Sequence, residues 1–214
     1  MTAAPTLARD VQAQTATDTT LAAAPAQATV ANTMADPAGL GLGAFALTTF
    51  VLSLANAGLV PEAGAAVLAL ALFYGGLLQV AAGLLEFFKG NTFGATAFCS
   101  YGGFWMALWW LETNPAMLEK AGSAGLGAFL LAWTIFTLYM TIVSLRTNGV
   151  LIATFSVVFL TFVALTIGAF TGGEAIHRLG GWLGLLAALL AWYGSFAVVL
   201  NATWKRQVLP MWAK

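Results

Sequence analysis

Glu86 and Lys89 stand three residues apart in GLLEFFKGNTFGATAFCSYG, residues 83–102, and so share one helical face. An exposed ion pair of this kind contributes little by itself. A carboxyl group set among apolar residues is different. Inside a membrane it is costly, and it marks ion paths and proton relays. Lys89 is long enough to snorkel to a surface, whereas Glu86 is shorter and sits deeper. Glu86 is therefore a candidate proton site, or an anchor for the polar groups after it: Asn91, Thr92, Thr96, Ser100 and Tyr101.

Further polar groups fall at helical spacing. Phe45, Thr49, Leu52 and Asn56 form one stripe, with Thr48 beside it, and Gly75, Gln79 and Gly83 form another. Thr134, Thr137, Thr141 and Ser144 form a third, and Thr154, Val158, Thr161 and Leu165 a fourth. Each threonine taken singly reads as packing glue, because hydroxyl residues favour helix contacts in membranes and bond their own backbone. Stripes on several helices together favour a shared hydroxyl-lined path. DPAGLGLGAF, residues 36–45, opens the first helix with Asp36 at the capping position and Pro37 at the first helical one. Gly39, Gly41 and Gly43 then allow close backbone approach. TNPA, residues 113–116, resembles the half-helix motif of water channels, but its place in a loop between Glu112 and Glu119 makes that match accidental.

Other chemistries are poorly served. Cys99 is the only cysteine and His177 the only histidine, so no cysteine-based metal site or disulfide framework is expected. No Walker or Rossmann pattern suggests a nucleotide or other cofactor, and no Ser/His/Asp set suggests a hydrolase. The chain is not expected to be an enzyme. Its net charge is zero, which gives no reason to expect nucleic acid. No Lys or Arg lies centrally in an apolar run, so the path suits a small, weakly polar or singly charged solute.

The elements that must position these groups follow from composition. The 214 residues are 60% hydrophobic and 7% charged, against roughly 25% charged in a soluble domain. The expected fold is an all-α membrane protein. A span needs about 20 apolar residues, and six segments qualify: 38–59, 64–88, 92–111, 124–145, 149–170 and 180–203. LVPEAG, KGN, ETNPAMLEKAGS, RTNG and TGGEAIHR separate them. KGN and RTNG are too short for folded loops and predict tight hairpins. Residues 1–33, rich in Ala, Thr, Gln and Pro, read as a disordered cytoplasmic tail with no signal-peptide pattern. Residues 34–206 form the six-helix domain and 207–214 a short cytoplasmic tail. With the amino terminus inside, Arg9, Lys89, Arg146, Lys205, Arg206 and Lys214 fall on the cytoplasmic side, as the distribution of positive charge requires. Both termini are then cytoplasmic and the lipid bilayer is the surrounding phase. GLGAF occurs at 41–45 and again at 125–129, opening the first and fourth segments. That suits an inverted three-plus-three repeat; chance in a chain rich in Gly, Ala and Leu is the alternative.

The motifs together resemble the acetate uptake transporter family, which includes bacterial succinate–acetate permeases and fungal acetate transporters. Asp36-Pro37-Ala38-Gly39-Leu40-Gly41-Leu42 is similar to that family's Asn-Pro-Ala-Pro-Leu-Gly-Leu signature. GAFALTTFVLSLANAG resembles its first helix, and FYGGLLQVAAGLLEFFKGNTFGATAFCSYGGFW, residues 73–105, its second and third. FTLYM and GGWLGL also fit, so the resemblance covers residues 37–205. Asp36 and Gly39 depart from the pattern, and an ionised Asp36 would disfavour an anion. The resemblance implies passage of acetate and related short carboxylates, succinate, lactate or propionate among them, by a proton-coupled transporter or an anion channel. It implies a homo-hexamer with a path through each protomer. It also implies a hydrophobic constriction at Phe45, Tyr101 and Val158, where bacterial relatives tend to have Leu at the last position. The expected path includes Thr48, Thr49, Asn56, Gln79, Asn91, Thr92 and Thr96. A channel for a small neutral or ammonium-like solute such as ammonia is the alternative, although the paired intramembrane histidines that often serve ammonia are missing.

Overall fold

Two short turns organise the chain, and both are written in its sequence. At the first, Gly90 adopts a left-handed conformation (φ 79°), and Asn91 Oδ1 accepts a hydrogen bond from Gly94 N at 3.1 Å. At the second, Asn148 Oδ1 accepts from Leu151 N at 3.0 Å. Each asparagine satisfies an orphan donor in the first turn of the next helix.

The structure, a computed structural model, describes residues 34–213. Its long helices are α1 (Ala38–Asn56), α2 (Ala63–Lys89), α3 (Thr92–Thr113), α4 (Pro115–Ser144), α5 (Gly149–Thr171) and α6 (Glu174–Trp204). The expected tail at 1–33 lies outside the described residues. Five helices, α1, α2, α4, α5 and α6, are long and apolar enough to cross a membrane. The 22-residue α3 matches them in length, but Thr92, Thr96, Ser100 and several glycines dilute its apolar character.

Two boundaries differ from expectation. The loop expected at 112–123 is mostly helical. Only Asn114 separates α3 from α4, and the break narrows to Gly122, at φ 58° and ψ −171° within α4. Ala, Met, Leu, Glu and Lys are good helix formers, and they outweigh the turn signals around them. The sixth helix starts at Glu174 rather than near 180. Glu174 and Arg178, four apart, pair at 2.5 Å across its first turn. Residues 207–213 fold back on α6 and the start of α5.

α6 packs along α1 and α5, α4 along α5, and α2 along α3. Small residues let these backbones meet. A Cβ on Gly83 would lie 2.5 Å from Cys99 Sγ, and one on Gly181 would collide with the backbone at Asn56 and Ala57. In a membrane such close packing replaces the hydrophobic drive as the glue. α2 contains a π-helical segment, Phe73–Leu78, immediately before Gln79. The outward faces are apolar: Phe73, Leu77, Leu84 and Phe88 on α2, and Leu131, Ile135, Leu138 and Ile142 on α4, are exposed at helical spacing.

Candidate functional site: two cavities with a shared wall

α1, α2, α3 and α5 enclose a cavity of about 310 Å³, at the lower end of the range for small-molecule sites (~300–1,000 Å³). Its mouth is at the helix ends. Asp36 lies before α1, Lys89 ends α2, Asn91 precedes α3 and Asn148 precedes α5, and all four line it. Its depth is lined by Leu42, Phe45, Gln79, Glu86, Tyr101, Leu151, Thr154 and Val158. A smaller cavity of about 40 Å³ lies beyond, walled by Thr49, Leu52, Ser53, Asn56, Trp105, Thr161 and Leu165. Phe45 and Val158 line both cavities.

Phe45, Tyr101 and Val158 all line the larger cavity and are buried, at 8%, 4% and 4% exposure. The Phe45 and Tyr101 rings lie 5.6 Å apart at 55°. Tyr101 is steadied further by the edge of Phe136 at 5.4 Å and by a hydrogen bond between its hydroxyl and Thr137 Oγ1 at 2.9 Å. When Thr137 is the donor, the tyrosine proton remains free.

Glu86 is fully buried. Its Oε2 accepts from Asn91 Nδ2 at 2.8 Å, while Oε1 has no hydrogen-bond partner. Asn91 thus links Glu86 to the capped start of α3. The pair expected between Glu86 and Lys89 is loose, at 4.0 Å, because Lys89 reaches instead to Asp36 Oδ1 at 2.8 Å. The same Asp36 oxygen accepts from Ala38 N at 3.0 Å. Gln79, just after the π segment, is 1% exposed with Oε1 unpartnered, and it faces the larger cavity. π turns often occur where a helix re-aims a functional side chain.

The stripes sort by helix. On α1, Phe45, Thr49, Leu52 and Asn56 all lie on the wall of the smaller cavity. On α5, Thr154 and Val158 line the larger cavity, and Val158, Thr161 and Leu165 the smaller. The α4 stripe is packing: Thr134 bonds Thr166, Thr141 bonds the Phe155 carbonyl, and Ser144 bonds the Thr141 carbonyl. Thr48, Thr92 and Thr96 line neither cavity. Thr48 donates to the Ala44 carbonyl and packs where Gly75 leaves room, and Thr92 is exposed. In the signature, Pro37 begins the helical hydrogen bonding by accepting from Gly41 N at 3.0 Å, and Leu40 points outward at 38% exposure. Gly39 sits against Val198 and Val199 and accepts at its carbonyl from Ser195 at 2.6 Å, while Gly41 lies under the Phe98 ring.

Several wall residues have no signal in the stripes. Ser53 and Trp105 line the smaller cavity, and Trp105 Nε1 and Thr49 Oγ1 are buried without partners there. Trp105 lies four residues after Tyr101, so extending the α3 stripe by one turn would have found it. His177 comes within 3.3 Å of Asn56 Oδ1 at that end, a pairing 121 residues apart that no local spacing reveals. Among the described residues, no three His, Cys, Asp or Glu side chains group as a metal site.

The profile of the GPR1/FUN34/yaaH family matches residues 18–212. This chain belongs to that family. The chain is similar to the succinate-acetate/proton symporter SatP of Escherichia coli K12, 41% identical over 180 residues that cover 83% of this chain and 95% of that protein. The acetate permease A of Emericella nidulans is 39% identical over 199 residues, covering 85% of this chain and 67% of that protein. The ammonia transport outward protein 2 of Saccharomyces cerevisiae is 41% identical over 174 residues, covering 76% of this chain. The chain spans 61% of the length of that yeast relative. The solved structure of the bacterial acetate channel SatP superposes with a TM-score of 0.79 at 41% identity, covering 83% of this chain and 99% of that one. These relatives are transporters or channels by name, and the fold of this family member is the all-helical fold of that channel.

Proposed function

We propose that this chain carries acetate and related short carboxylates across the cytoplasmic membrane, through a path that narrows at Phe45, Tyr101 and Val158. The observation that carries the reading is the pair of cavities sharing Phe45 and Val158 as a common wall. The names of the bacterial and fungal relatives support acetate and succinate as solutes; lactate and propionate are further candidates by their size and charge. In this reading α3 is the sixth span, with Tyr101 turned to the path. The basic residues Lys89, Arg146, Lys205 and Arg206 support a cytoplasmic location for the larger cavity and both termini. The exposed apolar faces of α2 and α4 meet lipid or neighbouring protomers of a homo-hexamer. The recurrence of GLGAF in α1 and α4 fits an inverted repeat. The activity is transport, with no enzymatic step and no cofactor.

Two mechanisms use this architecture. A proton-coupled carrier uses Glu86, buried at the wall of the larger cavity. An anion channel needs only the dewetting ring. Vesicles containing the purified protein and loaded with labelled acetate test the function directly, and no flux above empty vesicles would refute it. Collapse of uptake by a protonophore, with a saturable rate, favours the carrier; conductance in a clamped bilayer favours the channel.

A second reading, passage of ammonia, is supported by the name of one yeast relative. The single histidine, His177, bonds Asn56 rather than a second histidine. An alkaline shift inside vesicles on an ammonium pulse, without acetate flux, would favour this reading.

A further inference from the structure

The last residues of the chain form a strap that reaches the mouth of the larger cavity. α6 ends at Trp204, and the chain reverses at Lys205, which adopts φ 53°. Asn201 then holds the returning segment with its whole amide: Oδ1 accepts from Val208 N at 2.7 Å and from Leu209 N at 3.0 Å, and Nδ2 donates to the Leu209 carbonyl at 2.9 Å. Tyr193 donates its hydroxyl to the Pro210 carbonyl at 2.8 Å and stacks on Trp212 at 5.7 Å and 21°. Gly149 N, at the start of α5, donates to the Trp212 carbonyl at 2.9 Å. A Cβ on Gly149 would lie 3.0 Å from Trp212 Cβ, so glycine there lets the strap close on the helix. Trp212 has φ 50°; among the described residues, it and Lys205 are the two non-glycine residues with positive φ. Such backbone costs energy for any residue with a Cβ and persists where the surroundings over-determine it. Here both ends of one segment are held so.

At the cavity the strap presents Met211, which lines the larger cavity together with Asn148 at the start of α5. We infer that Met211, held in place by the strap, is a specificity-determining residue at the cavity mouth, setting how large a solute enters. Its flexible thioether side chain can cover an opening while yielding to a small solute. A rigid or bulkier side chain on the same anchors narrows the entry, and a shorter one widens it. The inference rests on the proposed path only in taking the larger cavity as an entrance.

The test reads access without transport. Thr154 lines the same cavity and lies six residues beyond Asn148 on α5, about 9 Å deeper at 1.5 Å per residue. In the full chain carrying Cys99→Ser and Thr154→Cys, the rate of modification by a small charged methanethiosulfonate is measured with Met211, Met211→Ala and Met211→Trp. The expected order is Ala fastest and Trp slowest, with a several-fold span. A double variant, Asn201→Ala with Tyr193→Ala, releases the strap and should match or exceed Met211→Ala. Equal rates across the Met211 series overturn the inference, whatever the release variant does. The Met211 variants leave all three anchors in place, so a folding failure of the release variant does not remove the test. A protein that moves no acetate yet keeps the expected order would refute the proposed function and sustain the strap. Acetate flux with equal rates would do the reverse.

Discussion

Asp36 and Lys89 join the start of α1 to the end of α2 by an ion pair of 2.8 Å at the mouth of the larger cavity. The pair bears on the difficulty raised by the signature resemblance, in which Asp36 stands at the place of the family pattern's Asn. Its charge is matched by the lysine, and its oxygen is also held by Ala38 N. The arrangement occupies the nearest cation at the mouth, so its effect on an anion is indirect.

Asp36→Asn should therefore free Lys89 to attract a carboxylate. Both side chains are partly exposed, at 40% and 28%, so the pair contributes no more than about 1 kcal/mol. The apparent affinity for acetate should rise by less than about tenfold, and the gain should shrink as ionic strength increases. Concentration series of uptake at two salt levels check this. An unchanged affinity at low salt would leave Asp36 as a helix cap alone.

Glu86 holds Asn91, and Asn91 caps α3, so its structural and proton roles must be separated. Glu86→Gln keeps an acceptor oxygen and should assemble normally. If Glu86 carries the coupled proton, uptake by this variant loses its pH dependence. Glu86→Leu leaves the half-buried Asn91 amide without its acceptor, which costs about 1 kcal/mol, and should lower the melting temperature. A Gln variant with the parent's pH profile would leave Glu86 with the structural role only.

The hairpins were legible because their turn residues act locally: Gly90 supplies a left-handed backbone, and Asn91 and Asn148 cap α3 and α5. The stripes on α1 and α5 could be read as wall-forming, but the same spacing on α4 marks packing. Thr137, Thr141 and Thr154 look alike in sequence, and only the neighbouring helix decides whether a hydroxyl faces space or a partner. The helical stretch after Asn114 was hidden because its acids and glycines read as turn chemistry. The docked strap was hidden because Tyr193 and Asn201 act on residues up to 19 positions away, with no periodic signal.

Tyr101 combines a wall and a hydroxyl, and substitution can separate them. Tyr101→Phe keeps the ring beside Phe45 and loses the 2.9 Å bond to Thr137. A stability loss of about 1 kcal/mol is expected, with slower anion passage and unaltered size selectivity. Tyr101→Ala and Phe45→Ala remove wall, and both should admit larger acids. Flux ratios for a graded series of monocarboxylates measure this. A Phe variant with the parent's acetate rate would remove the hydroxyl from the path.

Val158 is the one member of the ring with a short side chain, and it borders both cavities. That position matters for substitution by Leu. In a close-packed core an extra methylene costs about 1–3 kcal/mol through strain, but beside two cavities the added group has space, so Val158→Leu should fold. The methylene then narrows the opening opposite Phe45 and Tyr101. One methylene at a hydrophobic wall discriminates by about 1–3 kcal/mol. That suffices to separate two-carbon from three-carbon acids, while both Val and Leu exclude much larger solutes. Val158→Leu should therefore lower lactate and propionate flux more than acetate flux, and Val158→Ala should do the opposite. Competition uptake in reconstituted vesicles gives the ratios directly. A lactate-to-acetate ratio unchanged by Val158→Leu, in a protein that still transports acetate, would mean that the narrowest point lies elsewhere on the shared wall.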